Sequence, residues 1–271
     1  MLKLQHLFCI AIAINAHSWT QAASTFLGAS SSRIVGGTSA RDINIPYIVS
    51  LRTFNFHICG GSIINELTVL TAAHCLVATD ARDLQVHAGT KSRSSHEGVL
   101  VSVAAIHYDR RFVMDTMDYD IGLVRLATPL KFTRKIQPIA LPAVGESVLD
   151  TDVALVAGWG YKTPYGPGSY VLQYARVPII NQAECNKQLE GSVTDRMICA
   201  GYAEGGIDAC QMDSGGPLVV DEKLVGIVSW GVGCARPNRP GVYTRVAELI
   251  PWVQTTLAEQ YQDTIPSDRK K

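Results

Sequence analysis

Short runs of apolar and β-branched residues alternate with turn residues along most of the chain. They lie at residues 47–51, 68–71, 99–103, 121–126, 153–157, 217–220 and 224–228. Runs of this length and spacing predict an all-β sandwich or barrel. Because the chain has 271 residues, two barrels suit it better than one. We place the boundary between them near 135–138, a charged stretch with a proline between two strand-rich halves.

The C-terminal region has a helical pattern instead. Leu249, Ile250, Val253 and Leu257 recur at helical spacing, with Pro251 near the first turn. Residues 261–271 are mostly polar, and we expect a loose tail there.

The first 22 residues are typical of an export signal. Lys3 is followed by an apolar run at 7–14 that is too short to span a bilayer, and 20–22 offers a small-x-small cleavage site. A buried N-terminal helix and an uncleaved anchor are the alternatives, and the polar residues after the run disfavour both. We expect a secreted, extracellular protein without a membrane span. A Ser-rich segment at 23–33 follows the signal.

Composition favours a packed globular protein. Apolar residues make up 47% of the chain and charged residues 18%. Lys and Arg together number 24, as do Asp and Glu, so no net charge favours nucleic acid or an anionic membrane.

Six cysteines remain once Cys9 is removed with the signal, and an even number in an exported chain indicates disulfides. Zinc is the alternative, but no C-x-x-C pair is present. The spacing leaves the pairing open among 15 possibilities.

Three segments carry candidate catalytic chemistry. They contain His74 at 70–75, Asp120 at 118–123 and Ser214 at 208–217. Peptide hydrolysis by a serine needs a nucleophile, a base, a group that orients the base, and donors for the oxyanion. Each segment alone has an ordinary interpretation as a core histidine, a turn aspartate or a polar loop. Their joint occurrence in an exported, disulfide-bonded chain indicates a serine hydrolase.

These motifs are similar to those of the chymotrypsin-like, trypsin-type serine proteases. The shared stretches are T-A-A-H-C at 71–75, D-Y-D-I at 118–121, D-S-G-G-P at 213–217, S-W-G at 229–231, R-I-V-G-G at 33–37 and P-G-V-Y-T-R-V at 240–246. The resemblance runs from Ile34 to about Leu257. It implies two antiparallel six-stranded barrels with the active site in the cleft between them, and we assign the peptidase domain to 34–260.

The resemblance also implies the catalytic roles. Ser214 would be the nucleophile, His74 the general base and acid, and Asp120 the group that orients the histidine. The backbone N–H groups of Met212 and Ser214 would form the oxyanion hole. The disulfides implied by the family are Cys59–Cys75, Cys185–Cys199 and Cys210–Cys234.

The family resemblance further implies an inactive precursor. Cleavage after Arg33 would free the amine of Ile34, which would bury itself against Asp213 and order the oxyanion hole. The propeptide at 23–33 contains no cysteine, so it should be lost after cleavage.

Substrate choice is expected to depend on a pocket with Asp208 at its base. Gly231 and Gly241 would form open walls, and Ser229 to Gly231 would pair with the substrate backbone. Asp208 suits Arg and Lys, and Ala209, where some relatives have Ser, should favour Arg.

Met212 departs from the family, which nearly always has Gly there. Glycine could be needed for its backbone conformation or for space on the leaving-group side. We favour the second reason and expect weakened binding of rigid protein inhibitors. Residues 90–98 lack the pair of acids that a calcium loop requires, so we expect no metal and no cofactor.

The main alternative is an inactive relative that acts as a binding or regulatory protein. The intact triad positions disfavour it, and Met212 is its only support. A different specificity is disfavoured by Asp208, and an esterase would be expected to show G-x-S-x-G. Expected partners are protein or peptide substrates with Arg or Lys, an activating trypsin-like protease, and protein inhibitors, with the enzyme a monomer. Digestion is favoured over a cleavage cascade, and whether the enzyme activates itself stays open.

Overall fold

A computed structural model of the chain describes residues 34–94, 96–161 and 167–262, with side chains through residue 260. The predicted signal peptide 1–22 and the propeptide 23–33 lie outside the described residues, as does the predicted tail from 263 onward.

The described chain forms β-strands over most of its length. In chain order these are β1 (Thr38–Ser39), β2 (Ile48–Thr53), β3 (Phe56–Asn65), β4 (Thr68–Thr71), β5 (Leu84–Ala88), β6 (Val99–Tyr108), β7 (Gly122–Leu126), β8 (Val153–Gly158), β9 (Gln173–Ile180), β10 (Met197–Ala200), β11 (Pro217–Val220), β12 (Lys223–Trp230) and β13 (Gly241–Arg245).

Strands β2 to β7 form a closed antiparallel barrel. They pair in the order β2-β3-β4-β7-β6-β5, and β5 returns to β2. Strands β8 to β13 form a second barrel in the order β9-β10-β13-β12-β11-β8, closed by the pairing of β8 with β9. The two-residue strand β1 adds to β9. The predicted pair of six-stranded antiparallel barrels is therefore confirmed.

Each barrel has its own apolar interior. Buried Leu51, Val86 and Leu123 belong to the first core, and buried Val177 and Leu218 belong to the second. The connection between the barrels runs from 127 to 152 and contains the stretch 135–138 at which we place their boundary.

The predicted C-terminal helix is present as α2 (Val246–Gln262). Pro251 lies inside it and has no N–H for the carbonyl of Ala247 four residues earlier. That carbonyl accepts instead from the backbone N–H of Gly145, at 3.1 Å, in the connection between the barrels. No helix among the described residues is long and apolar enough to cross a membrane.

A short helix, α1 (Gln182–Gln188), was not predicted. It begins at Asn181, whose side-chain oxygen accepts from the N–H groups of Ala183 and Glu184 at 3.0 and 3.2 Å. This is a standard N-cap, and it satisfies two donors that the first helical turn leaves open. Three short 3-10 helices complete the described elements, at Ala40–Asp42, Ala73–Cys75 and Ala81–Asp83.

Candidate active site

His74 and Asp120 form a two-point contact in the first barrel. His74 lies on the 3-10 helix after β4, and Asp120 lies just before β7. The carboxylate accepts from the backbone N–H of His74 at 2.9 Å and lies 2.7 Å from its Nδ1. Because Nδ1 faces a carboxylate, it carries the proton, and Nε2 is left as the basic nitrogen.

The second barrel also binds Asp120, which is 1% exposed. The hydroxyl of Ser229 donates to its Oδ2 at 2.6 Å, and the hydroxyl of Thr244 donates to its backbone carbonyl at 2.6 Å. Both donors lie on strands of the second barrel, β12 and β13. The carboxylate that orients His74 is therefore fixed from both barrels.

Ser214 belongs to the second barrel and lies just before β11. Its carbonyl accepts from the N–H of Gly60 at 2.7 Å, and Gly60 neighbours Cys59, which is bonded to Cys75 next to His74. Both Ser214 and His74 are described, and no hydrogen bond joins their side chains in this structure. Such bonds are often loose before a substrate is bound.

Gly215 explains how the backbone beside Ser214 passes so close to the first barrel. A Cβ at Gly215 would collide with the hydroxyl of Thr71 and the carbonyl of Gly60, and its φ of +76° is one that glycine adopts freely. The glycine after Ser214 is thus required by a close approach as well as by its conformation.

The backbone N–H groups of Met212 and Ser214, the pair assigned to the oxyanion hole from the sequence, have no acceptor among the described residues. The loop that carries them is a tight turn in which Asp213 N–H bonds the carbonyl of Cys210 at 3.0 Å. Unpaired donors beside a candidate nucleophile are what stabilisation of a tetrahedral oxyanion requires.

Met212 has a φ of +75°, in the left-handed region that a side chain disfavours. The conformational reason for glycine at this position therefore applies to this chain, and the steric reason that we favoured from the sequence stays a prediction. The cost of such a φ is about 1–2 kcal/mol.

His57 secures the strained residue. Its Nε2 lies 2.8 Å from the carbonyl oxygen of Met212, and its Nδ1 lies 2.8 Å from the hydroxyl of Ser50. Burial lowers the pKa of His57 to about 4, so the ring is neutral at physiological pH. A neutral ring that faces a carbonyl must donate from Nε2 and accept from Ser50 at Nδ1.

A cavity of about 220 Å³ is lined by both Ser214 and Asp208. Asp208 is 4% exposed; its Oδ2 accepts from the N–H of Ala235 at 3.0 Å, and its Oδ1 is buried without a partner. Burial raises the pKa of Asp208 to about 7. A buried carboxylate oxygen with no donor is costly, so the cavity suits a cationic guest.

The cavity walls contain the residues predicted for substrate choice. A Cβ at Gly241 would lie 2.6 Å from Asp208 Oδ1, so any side chain there would displace the carboxylate. At Gly231 a Cβ would meet only the carbonyl of Gly233 at 3.4 Å, so this glycine leaves the entrance open. Ala209 lines the cavity next to Asp208 and offers no hydroxyl.

The end of β12 extends past its partner β11. Its pairing with β11 stops at Ile227, whereas its pairing with β13 continues to Trp230. Ser229 to Gly231 therefore lie beyond β11 on one side, as the predicted edge segment requires.

Asp213 lies in a cradle formed by two glycines. It is fully buried and accepts from the N–H groups of Gly160 at 2.7 Å and Cys210 at 3.0 Å. A Cβ at either Gly158 or Gly160 would overlap its carboxylate. Burial raises the pKa of Asp213 to about 7. The side chain of Ile34, at the predicted cleavage point, is also fully buried and packs in the core of the same barrel.

The disulfides join the pairs that the family resemblance implied. They are Cys59–Cys75, Cys185–Cys199 and Cys210–Cys234, the first beside His74 and the last against the cavity. Among the described residues, three or more potential metal ligands meet only at His74, Cys59 and Cys75. Both sulfurs are in a disulfide, so this group offers no thiolate to an ion.

Sequence reasoning missed three residues that support the site. Thr244 and His57 were not singled out, and Ser229 was assigned to substrate binding only. His57 meets Met212 across 155 positions, and no local pattern signals a contact of that range.

Comparisons with known proteins agree with this geometry. A family model described as Trypsin matches residues 34–253. The chain is 43% identical over 228 residues to trypsin 5G1 of Aedes aegypti, which covers 83% of this chain and 85% of that protein. It is 40% identical over 227 residues to the vitellin-degrading protease of Bombyx mori, with 83% and 86% covered. It is 39% identical over 248 residues to transmembrane protease serine 9 of Rattus norvegicus, with 88% and 23% covered. The chain belongs to the trypsin family and is a serine endopeptidase.

Proposed function

We propose that this chain is a secreted, trypsin-like endopeptidase that hydrolyses peptide bonds after Arg, and less efficiently after Lys. The observation that carries the specificity is Asp208, whose buried Oδ1 has no partner at the base of a cavity of about 220 Å³ beside Ser214. A guanidinium supplies both a positive charge and a hydrogen-bond donor for Oδ1.

The proposed reaction proceeds through an acyl-enzyme. Ser214 Oγ attacks the scissile carbonyl carbon while His74 Nε2 takes its proton, and Asp120 stabilises the resulting imidazolium. The carbonyl oxygen becomes an oxyanion that accepts from the N–H groups of Met212 and Ser214. His74 then gives the proton to the leaving amine, and the same steps with water as nucleophile release the acid and regenerate Ser214.

Arg is preferred to Lys because of reach and geometry. The guanidinium can meet both carboxylate oxygens of Asp208 with parallel hydrogen bonds, whereas the shorter ammonium depends on neighbours for its remaining donors. Ala209 provides no such acceptor. A poorly satisfied donor costs about 1–3 kcal/mol, so we expect about a tenfold preference or more.

The precursor is inactive in this proposal. Cleavage after Arg33 frees the amine of Ile34, and the charged amine pairs with the buried carboxylate of Asp213. The cradle around Asp213 supports this, because a fully buried carboxylate with only two amide donors is stabilised further by a cation. The precursor is cleaved by a trypsin-like protease. After cleavage the enzyme acts on protein or peptide substrates and is bound by protein inhibitors. Met212 weakens the binding of the inhibitors.

The decisive experiment is expression of the chain, cleavage at the Arg33–Ile34 bond, and assay on matched Arg, Lys and Phe ester and amide substrates. Hydrolysis of the Arg substrates that depends on cleavage and is abolished in Ser214→Ala is expected. An Arg33→Gln precursor serves as the uncut control. Binding of Arg peptides without turnover by the cleaved chain would instead support the alternative of a binding or regulatory protein.

A further inference from the structure

Asp118, two residues before Asp120, accepts hydrogen bonds from side chains of the second barrel. Arg196 donates from Nε to its Oδ1 and from Nη2 to its Oδ2, both at 2.8 Å, and the hydroxyl of Thr194 donates to Oδ1 at 3.0 Å. The Arg196 and Asp118 side chains are 28% and 15% exposed. Although burial alone would raise it, these hydrogen bonds hold the pKa of Asp118 below its usual value. Arg196 and Asp118 therefore form a bidentate, partly buried ion pair between the two barrels.

The next residue, Tyr119, is covered by two guanidinium groups. Those of Arg111 and Arg196 lie 4.3 and 4.7 Å from its ring centre. Arg111 is itself held by Asp109 through bonds of 2.9 and 2.6 Å. Each cation is attracted by the face of the ring, so Tyr119 is fixed by both barrels.

The backbone of this turn is strained. Met117 and Tyr119 have φ angles of +55° and +58°, although neither is glycine. The N–H of Ile121 bonds the carbonyl of Tyr119 at 2.8 Å, which closes a tight turn around Asp120. Such conformations persist only where the surroundings determine them strongly. The turn that presents Asp120 to His74 therefore depends on contacts from outside.

We propose that Arg196 is a positioning residue of the active site, which holds the strained turn at Asp118 and Tyr119 so that Asp120 stays aimed at His74. The role rests on the protease function proposed above. Arg196 does not touch the reacting atoms, and it acts through Asp120. Its planar fork can bind the Asp118 carboxylate at two points while its face covers the Tyr119 ring, and a lysine cannot do both.

The test is Arg196→Met, which keeps an unbranched stem of related length and removes the fork and the charge. In the cleaved enzyme, titrated for active sites, we expect kcat on a small Arg ester to fall about tenfold or more with KM changed by less than about threefold. KM is spared because the Asp208 cavity is built from other residues. Arg196→Lys should recover only part of kcat.

A pH profile separates positioning from simple stabilisation. If Asp120 loses its aim, the imidazolium of His74 loses part of its stabilisation, so the acid limb of the kcat/KM profile should move to lower pH in Arg196→Met. Asp118→Asn should give the same shift in the pH profile. The double variant should have a kcat no lower than that of the more impaired single variant, because both substitutions break the same Arg196–Asp118 interaction. The matched control is Arg82→Met, which removes a surface pair with Asp80 at 2.6 Å and should leave the profile unchanged.

A lower melting temperature with wild-type kcat and an unshifted pH profile would show that Arg196 is merely structural and would overturn the proposal. If Arg196→Met does not fold, Arg196→Lys and Asp118→Asn carry the same comparison. Wild-type enzyme is assayed alongside: its failure to hydrolyse any substrate after cleavage would overturn the proposed function itself, whereas an active wild type with an unaffected Arg196 variant removes the positioning role alone.

Discussion

The hydroxyl of Ser229 and the carboxylate of Asp120 lie 2.6 Å apart, one on each barrel. This hydrogen bond fills an acceptor position on the carboxylate that orients His74, and it does so from the strand whose end is also expected to bind substrate. Orientation of the base and binding of the peptide are therefore linked through a single serine.

We expect Ser229→Ala to lower kcat about tenfold or more, because a hydrogen bond to a charged group is worth about 1.5–3 kcal/mol. The measurement is steady-state kinetics on a small Arg ester with titrated active sites. Thr256→Ala is the control, since it removes an equally buried hydroxyl that bonds only the carbonyl of Trp252 in α2. An unchanged kcat in Ser229→Ala would mean that the carboxylate is held well enough without it.

Met212→Gly should have two separable effects. Relief of a φ of +75° should raise the free energy of unfolding by about 1–2 kcal/mol, measured by denaturant titration. Removal of the side chain should tighten binding of a rigid protein inhibitor strongly, while kcat on small substrates changes only a few-fold. Asn238→Gly, at a φ of +54° in a surface loop, is the control for stability alone. A rise of orders of magnitude in small-substrate kcat would show instead that strain had impaired the oxyanion hole.

Ala209→Ser should raise kcat/KM for Lys substrates relative to Arg substrates. The new hydroxyl would lie in the cavity next to Asp208, where an ammonium needs an acceptor. The ratio on matched Lys and Arg peptides should shift by about tenfold. Equal kcat/KM for Arg and Lys in the wild type would contradict the assigned preference from the start.

Binding of an aromatic amidine, which stays cationic, should strengthen as the pH rises from 5 to 8. Burial raises the pKa of Asp208 to about 7, so below that pH the carboxyl must first lose a proton. The inhibition constant should therefore fall with rising pH and level off above pH 7. The same shift makes the contribution of Asp208 to folding stability greatest below its ordinary pKa of 3.8 and lost as the pH rises through about 7.

Asp208→Asn is the control for this titration, because it should bind the amidine weakly at every pH in this range. A wild-type inhibition constant that is flat between pH 5 and 8 would show that Asp208 is already ionised in the enzyme.

Seven strands overlap runs of apolar and β-branched residues and could be predicted from them, whereas β10 was missed although Met197–Ala200 is an apolar, buried run. The runs at 68–71 and 217–220 coincide with β4 and β11, because an unbroken run of β-branched and apolar residues marks a strand buried on both sides. Strand β3 was missed because Gly60 and Gly61 interrupt it. Gly60 is required there by contact, since a Cβ would lie 2.8 Å from Gly216 Cα in the other barrel.

The candidate site likewise contains residues that a local sequence pattern predicts and contacts that it does not. His74, Asp120 and Ser214 lie in motifs of four or five adjacent residues, so a single sequence reveals them. The contacts that fix them do not: Ser229 reaches Asp120 across 109 positions and Thr244 across 124. Such pairs are set by how two closed barrels meet, and neither the period nor the composition of either segment records it.

Pro251 gives α2 a function that an unbroken helix would lack. Because the proline offers no N–H, the carbonyl of Ala247 is left for Gly145, in the segment that carries the chain from one barrel to the other. At its far end the helix meets β7 of the first barrel, where Arg125 donates to the carbonyl of Gln260 at 2.8 Å. The missing N–H of Pro251 thus gives the connection between the barrels a fixed point of attachment on α2. Because α2 also contacts β7, the last helix of the chain anchors that connection to the first barrel.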